Sequence, residues 1–392
     1  MKNILIASFD MEVGGVERSL ISMLSNFDYK SHHIDLMLYS HTGDFMNLLP
    51  SQPNLLEESK TYKTFRMSIG EIFKTGKLPL GLARLLAKYR ASLNQTSETG
   101  YKQMQYMWKY SLPFLPRHEK KYDIAISYLW PHYFVADKVE AKTKIAWIHT
   151  DFSTVETDTK LDIEMWNKFD SIVAVSEECR NTFIQKYPTL INKVIVLENI
   201  TSPELVKALA NEKVENPLTN DLRFKIITVA RLSHAKGIDK AVKALKRLKD
   251  RGYNDIAWYV VGYGGEEIKI KELITQNGLE NQFILLGKKT NPYPYMKAAN
   301  LYVQPSRYEG KAVTVSEAQI LSKSVLITNY PTAQSQVRNG FDGLICELST
   351  DGIADGIERL YKDFDLRKHL ENNCKSTDYS NNMELEKLYS LV

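Results

Sequence analysis

The chain has 392 residues, 43% of them hydrophobic and 25% charged, and a formal net charge of +4. That length favours two domains, each able to bury its own core, in a composition ordinary for a soluble globular protein. It excludes two classes at once: no run approaches the ~18 apolar residues of a membrane span, and three scattered cysteines, Cys179, Cys346 and Cys374, give neither a disulfide framework nor metal-ligand spacing.

The opening "MKNILIASFD" carries too short an apolar run for a signal peptide and reads as a first β-strand. "MEVGGVERSL" follows, and from Glu17 to Phe27 the residues Leu20, Met23, Leu24 and Phe27 recur at helix spacing. The paired His32-His33 reads as a strand start without a metal partner. Further strands are expected at "HIDLMLY", "DIAISY", "KIAWIH", "SIVAVS" and "KVIVLEN". The second half repeats this order with "KIITVA", "IAWYVVG", "FILLG", "LYVQPS", "SVLIT" and "GLICEL", separated by segments of helical period. Near-continuous apolar strands alternating with amphipathic helices imply parallel sheets covered on both faces. Two such blocks predict an α/β protein of two Rossmann-like, doubly wound domains, with ligands at the carboxyl ends of the strands and in the cleft the domains form. The polar, turn-rich "PELVKALANEKVENPLTND" is expected to be the hinge.

The segment from about 50 to 121 interrupts the first block. From Lys60 to Lys121 it holds thirteen Lys/Arg against three Asp/Glu, so the rest of the chain is net acidic. Its pieces "LARLLAKYRASL" and "YKQMQYMWKYSLPFL" interleave cations with aromatic and apolar residues, which suits either an anionic membrane surface or a helical insert packed on the first domain.

The chemistry concentrates in "SRYEGKAVTVSEAQIL". Glu309 falls in the loop after a strand, Gly310 permits close approach of backbone to a ligand, and the next helix begins near Val313 with free N–H groups suited to an anion. Glu317 lies on that helix, so two carboxylates eight positions apart can hold hydroxyls at two places on one ligand, with the amides between them on its phosphates. Upstream, "ARLSHAKGID" sets Arg231 and Lys236 five apart after a strand, and two like charges at a helix start call for an anion. "WIHTD" ends a strand at His149, and Gly14 and Gly15 make a strand-to-helix turn. Trp147, Trp258 and Tyr259 read as core. The single D-x-D, Asp363 to Asp365, reads as a capping turn rather than a metal site.

In order and spacing these segments resemble the GT-B-fold, retaining glycosyltransferases of family 4 (group 1 type), of the kind that builds bacterial surface polysaccharide. "PSRYEGKAVTVSEA" is similar to their E-x7-E signature, "ARLSHAKGID" to their phosphate-binding segment, "VVGYGGEE" with Gly262 to their glycine turn and "MEVGGVERSL" to their N-terminal glycine loop. The resemblance implies that Glu309 binds hydroxyls of a donor sugar and Glu317 the ribose. It has Arg231 and Lys236 hold the diphosphate, Gly15 donate an amide to it, and His149 sit by the reacting carbon, with Gly14, Gly310, Lys311, Ala312, Val313 and Gly262 around the substrate. It further implies residues 1–200 as an acceptor-binding domain carrying the basic insert, 201–375 as the sugar-nucleotide domain and 376–392 as a helix returning to the first. The expected donor is a UDP-sugar and the expected acceptor a saccharide linked to polyprenyl diphosphate, with a small soluble glycoside or a protein side chain as the alternatives. The expected address is cytoplasmic, peripheral at the inner face of the plasma membrane, with no metal cofactor and no nucleic-acid partner. Two departures stand out: Lys311-Ala312 where many members have Phe-Gly, and Gln336 near a position where many have glutamate. A nicotinamide dehydrogenase fits poorly, since neither glycine turn completes G-x-G-x-x-G. An inactive sugar-nucleotide-binding subunit would not need Glu309, Arg231 and Lys236.

Overall fold

The computed structural model describes residues 1–93, 99–150, 152–153, 155–309, 311–381 and 383–391. Gly310 therefore lies outside the described residues. The chain divides into two compact units, one of Met1–Ile200 with Asn381–Val392, the other of Thr201–Ser380.

The first unit is built on seven parallel strands, β1 (Lys2–Ser8), β2 (His32–Leu38), β3 (Asn54–Leu55), β4 (Tyr122–Ser127), β5 (Ala141–Ile148), β6 (Ser171–Ala174) and β7 (Val194–Val196), in the order β3-β2-β1-β4-β5-β6-β7. Ile4, Leu5, Ile6 and Ala7 of β1 are almost fully buried, as a central strand covered on both faces requires. Strand order reverses between β1 and β4, which pair directly. The basic insert supplies the helices Leu78–Ser92 and Thr99–Ser111, which pack together. Trp108 on the second is fully buried, stacked on Phe65 at 3.9 Å and set against Phe9 and Tyr39. The insert is thus tied into the core of this unit at that tryptophan. The helix Met383–Ser390 also belongs here: Leu385 and Leu388 are buried, and Tyr389 stacks on His32 at 4.8 Å.

The second unit has six parallel strands, β8 (Phe224–Val229), β9 (Ile256–Val261), β10 (Phe283–Gly287), β11 (Leu301–Gln304), β12 (Ser324–Thr328) and β13 (Leu344–Cys346), in the order β10-β9-β8-β11-β12-β13. The reversal falls between β8 and β11. One layer of core, with Trp258 and Leu245, covers one face. Another, with Tyr302, Tyr293 and Met296, covers the other. The segment read as a hinge belongs to this unit. Ser202 caps a helix Pro203–Leu209 by accepting from the Leu205 N–H, and Val206, Ala210 and Leu218 are buried in the second core layer. Three of its apolar residues thus enter the core while others, such as Val214, stay exposed, so the turn-rich composition hid a packed element. No helix among the described residues is long and apolar enough to cross a membrane.

Candidate functional site

Both reversals of strand order gather polar side chains at the carboxyl ends of the strands, the position at which open α/β sheets bind ligands. In the second unit the loop after β8 meets the loop after β11. Gly237 adopts φ +66°, and a Cβ there would stand 2.0 Å from the Pro305 carbonyl oxygen, so only glycine lets the two loops close. Arg307 seals the contact with a bidentate pair to Asp239, at 2.7 and 2.6 Å, and a further bond to the His234 carbonyl. Gly262, at the end of β9, lies under the same loop, where a Cβ would stand 1.8 Å from the Ala230 oxygen.

This closure brings Lys236 to Glu309: the ammonium donates to Oε2 at 2.5 Å. Oε1 accepts from Ser306 Oγ at 2.6 Å and from Gln304 Nε2 at 3.0 Å. The carboxylate is 6% exposed and engaged at both oxygens, so its position is fixed before any ligand arrives. The electrostatic reason given for an anion at Arg231 and Lys236 therefore needs correcting for Lys236, whose counter-charge is internal. Arg231 differs: it is exposed, and its guanidinium makes no hydrogen bond or ion pair among the described residues. Glu317, on the helix Val313–Ile320, is 2% exposed and accepts from Tyr293 OH at 2.7 Å.

The amides between the two glutamates are not all open, contrary to expectation. Ala312 N–H donates to Gln336 Oε1 at 3.1 Å, and Tyr330 OH donates to the same oxygen at 3.2 Å. Gln336 thus orients the start of the helix, while its own Nε2 is buried without a partner among the described residues. Sequence had marked the position but not this role. Lys311 and Val313 flank Ala312 at the same helix start.

In the first unit, Gly14 caps the helix Gly15–Ser25 in extended conformation, and a Cβ on it would meet the Glu17 carboxyl, which folds back over the helix start. Burial pushes the Glu17 carboxyl up to about 7, with the nearby Asp10 adding to the shift. Asp10 itself is buried and paired with Arg66 of the insert at 2.5 Å. His149, just past β5, has both ring nitrogens buried and lies 4.7 Å from the Tyr128 ring. Burial lowers it to about 3, so it is a neutral imidazole. His132 joins it from the segment after β4: its Nδ1 is hydrogen-bonded to Ser127 Oγ at 2.8 Å, and burial holds it too at about 3. Sequence reasoning missed Glu17 and His132. Glu17 lay inside the quoted glycine loop, and His132 offered no signal beyond its place after an apolar strand. Trp147, Trp258 and Tyr259 are core, and Asp363 caps the helix Phe364–Ser376 through a 2.8 Å bond from Leu366 N–H.

Two parallel α/β sheets, each with its polar groups at the switch point, define the GT-B architecture. The whole chain superimposes on Anabaena HepE in complex with UDP and glucose at a TM-score of 0.67, with 18% identity and full coverage of both chains. It superimposes on Staphylococcus aureus TarM, solved as a mutant with fondaparinux, alpha-GlcNAc-glycerol and UDP, at 0.68, with 15% identity over 100% of this chain and 99% of that one. Residues 210–377, within the second unit, match the family model described as glycosyl transferases group 1. In sequence the chain is 30% identical over 236 residues to the capsular polysaccharide biosynthesis glycosyltransferase CapM of Staphylococcus aureus, 56% of this chain and 61% of that one. It is 28% identical over 170 residues to an uncharacterized glycosyltransferase of Methanocaldococcus jannaschii, 43% of this chain and 42% of that one. It is 24% identical over 217 residues to the N-acetylgalactosamine-N,N'-diacetylbacillosaminyl-diphospho-undecaprenol 4-alpha-N-acetylgalactosaminyltransferase of Campylobacter jejuni, 54% and 56%. The chain thus spans about half the length of these curated relatives.

Proposed function

We propose that this protein is a retaining glycosyltransferase of family 4. It would move a hexose-type sugar from a nucleotide sugar, a UDP-sugar by preference, to a saccharide carried on polyprenyl diphosphate, at the cytoplasmic membrane face, in cell-surface polysaccharide synthesis. The observation that carries this reading is the Lys236–Glu309 contact, made by two switch-point loops, with the unpartnered Arg231 five residues upstream. Breaking a sugar–phosphate bond leaves extra charge on the diphosphate. Cations placed beside it stabilise that charge more in the transition state than in the ground state. Lys236 is already oriented by Glu309, so it loses little freedom on meeting the phosphates, and Glu309 keeps lone pairs for sugar hydroxyls. Glu317, with its Tyr293 partner, is the ribose contact in this reading, and Gly15 and His149 are the first unit's donor contacts. His149, being neutral, would act by hydrogen bonding and not by charge. With both cations supplied by side chains, the reaction needs no divalent metal. The lipid-linked acceptor draws support from the Campylobacter relative, named for a diphospho-undecaprenol substrate, and the polysaccharide role from CapM.

The test is release of nucleotide from a panel of UDP-, GDP- and ADP-sugars by the purified chain, with and without undecaprenyl-diphosphate saccharides. Turnover of one UDP-sugar, increased by the lipid-linked acceptor, is the expected result. Absence of turnover for every donor would leave an inactive sugar-nucleotide-binding subunit as the better reading.

A further inference from the structure

The helix Leu78–Ser92 is turned the unusual way round. Its buried side is mainly alanine: Ala83, Ala87 and Ala91, with Leu80, face the rest of the first unit. Gly81 lies so close to the Phe73 ring that a Cβ would stand 2.5 Å away, so the helix is seated tightly on that side. The large apolar side chains point outward. Leu78, Leu82, Leu85, Leu86, Tyr89 and, at the C-cap, Leu93 are each 45% to 63% exposed. At 100° per residue these six positions fall within an arc of about 100°, a continuous apolar stripe along the whole helix. A helix that buries alanines and exposes leucines has its main apolar partner elsewhere.

The rim of the stripe identifies that partner. Lys88 borders it on one edge and Arg90 on the other, both exposed. Lys74 and Lys77 stand before its first turn, and no Asp or Glu occurs between Glu71 and Glu98. Two copies pairing through this face about a two-fold axis would bring the cationic rim against itself, which like charges oppose. An anionic bilayer answers both features: its acyl boundary takes the leucines and its headgroups the cations. Tyr89 offers the amphipathic ring favoured at that depth. The fixed seat matters as well. The adjoining helix Thr99–Ser111 is anchored by buried Trp108, so the stripe is presented by a folded surface and need not fold on contact.

We infer that the outward face of the helix Leu78–Ser92 is a membrane-docking surface that inserts into the headgroup and acyl boundary of an anionic bilayer. The inference deepens the lipid-linked acceptor reading and rests on it for its biological purpose, but its test does not use sugar transfer. Full-length protein is spun with vesicles of phosphatidylcholine containing phosphatidylglycerol, and with pure phosphatidylcholine, at low and high salt. The parent is expected to co-sediment with the anionic vesicles, and less so at high salt. A Leu82→Gln/Leu86→Gln/Tyr89→Gln variant is expected to lose at least about tenfold in partitioning, and a Lys88→Glu/Arg90→Glu variant by a similar factor at low salt. All five side chains are exposed, so thermal melting of the variants should match the parent. Equal partitioning of parent and leucine variant would overturn the inference. So would a parent that fails to bind vesicles and is dimeric by light scattering while the leucine variant is monomeric, which would make the stripe a contact between copies. Donor turnover measured on the same variants separates the two readings: vesicle binding without turnover in the parent defeats the catalytic reading alone.

Discussion

Arg231 and Lys236 carry the same charge but sit in different surroundings, and their substitutions should separate accordingly. Arg231 has no partner among the described residues, so Arg231→Ala should leave the melting temperature unchanged while cutting donor turnover by about 10²–10³-fold, the usual cost of one transition-state donor. Lys236→Met should lose comparable activity and also destabilise the second unit, because it strands the buried Glu309 carboxylate with only Ser306 and Gln304. Steady-state kinetics beside thermal melts would decide it, and a fully active Arg231→Ala would remove that residue from the site. Glu17 makes a prediction of another kind. Its folded-state carboxyl is raised above its unfolded value, from 4.5 to about 7, so the folded chain binds the proton more tightly. Stability from this group is therefore present at low pH and lost as pH rises through about 7. Allowing for partial exposure, the loss is about 1–2 kcal/mol. Glu17→Gln should match the parent near pH 4.5 and gain a melting-temperature advantage of a few degrees by pH 8. A difference that stayed flat with pH would contradict the assigned burial.

At the scale of elements, twelve of the strands were legible because each is an apolar run, most of them buried on both faces, where burial leaves little choice of residue. β3 was not, since its two residues, Asn54 and Leu55, are exposed and carry no pattern. The helix Pro203–Leu209 had readable signals, serine at the cap and proline in the first turn, but only seven residues, and its polar surroundings outweighed them. Both helices of the basic insert could be read from their period. The direction of the first could not, because periodicity ranks faces by apolarity and would turn the leucines inward, whereas tight seating on Phe73 and the neighbouring helix selects the small residues. The site divides the same way. Glu309, Glu317, Arg231 and Lys236 stood in short local patterns. The Lys236–Glu309 bond spans 73 positions, and the hold of Gln336 on the Ala312 amide spans 24, so both depend on which loops the strand order makes neighbours.

For the whole molecule, the division of the chain into units is uneven along the sequence, and this has a consequence for stability. The second unit is one continuous stretch, whereas the first is completed by a segment 180 residues further on, Asn381–Val392. That segment is held by specific contacts within the first unit. Leu385 and Leu388 are buried, Tyr389 OH accepts from the Asp28 N–H at 2.8 Å, Glu384 Oε2 accepts from the Glu198 N–H at 2.9 Å, and Asn381 donates to the Asn199 carbonyl at 2.8 Å. Burial of two leucines contributes about 3–6 kcal/mol at the usual value per side chain, a large share of the stability of any one domain. Removing residues 381–392 should therefore lower the denaturant midpoint of the first unit. The tryptophans make this measurable: of the five, only Trp258 lies in the second unit, so in a Trp258→Phe background the remaining fluorescence comes from Trp108, Trp130, Trp147 and Trp166 of the first. Urea titration of that background with and without the last twelve residues should show the midpoint fall on truncation with the slope retained. An unchanged midpoint would mean that the terminal helix rests on the first unit without supporting it.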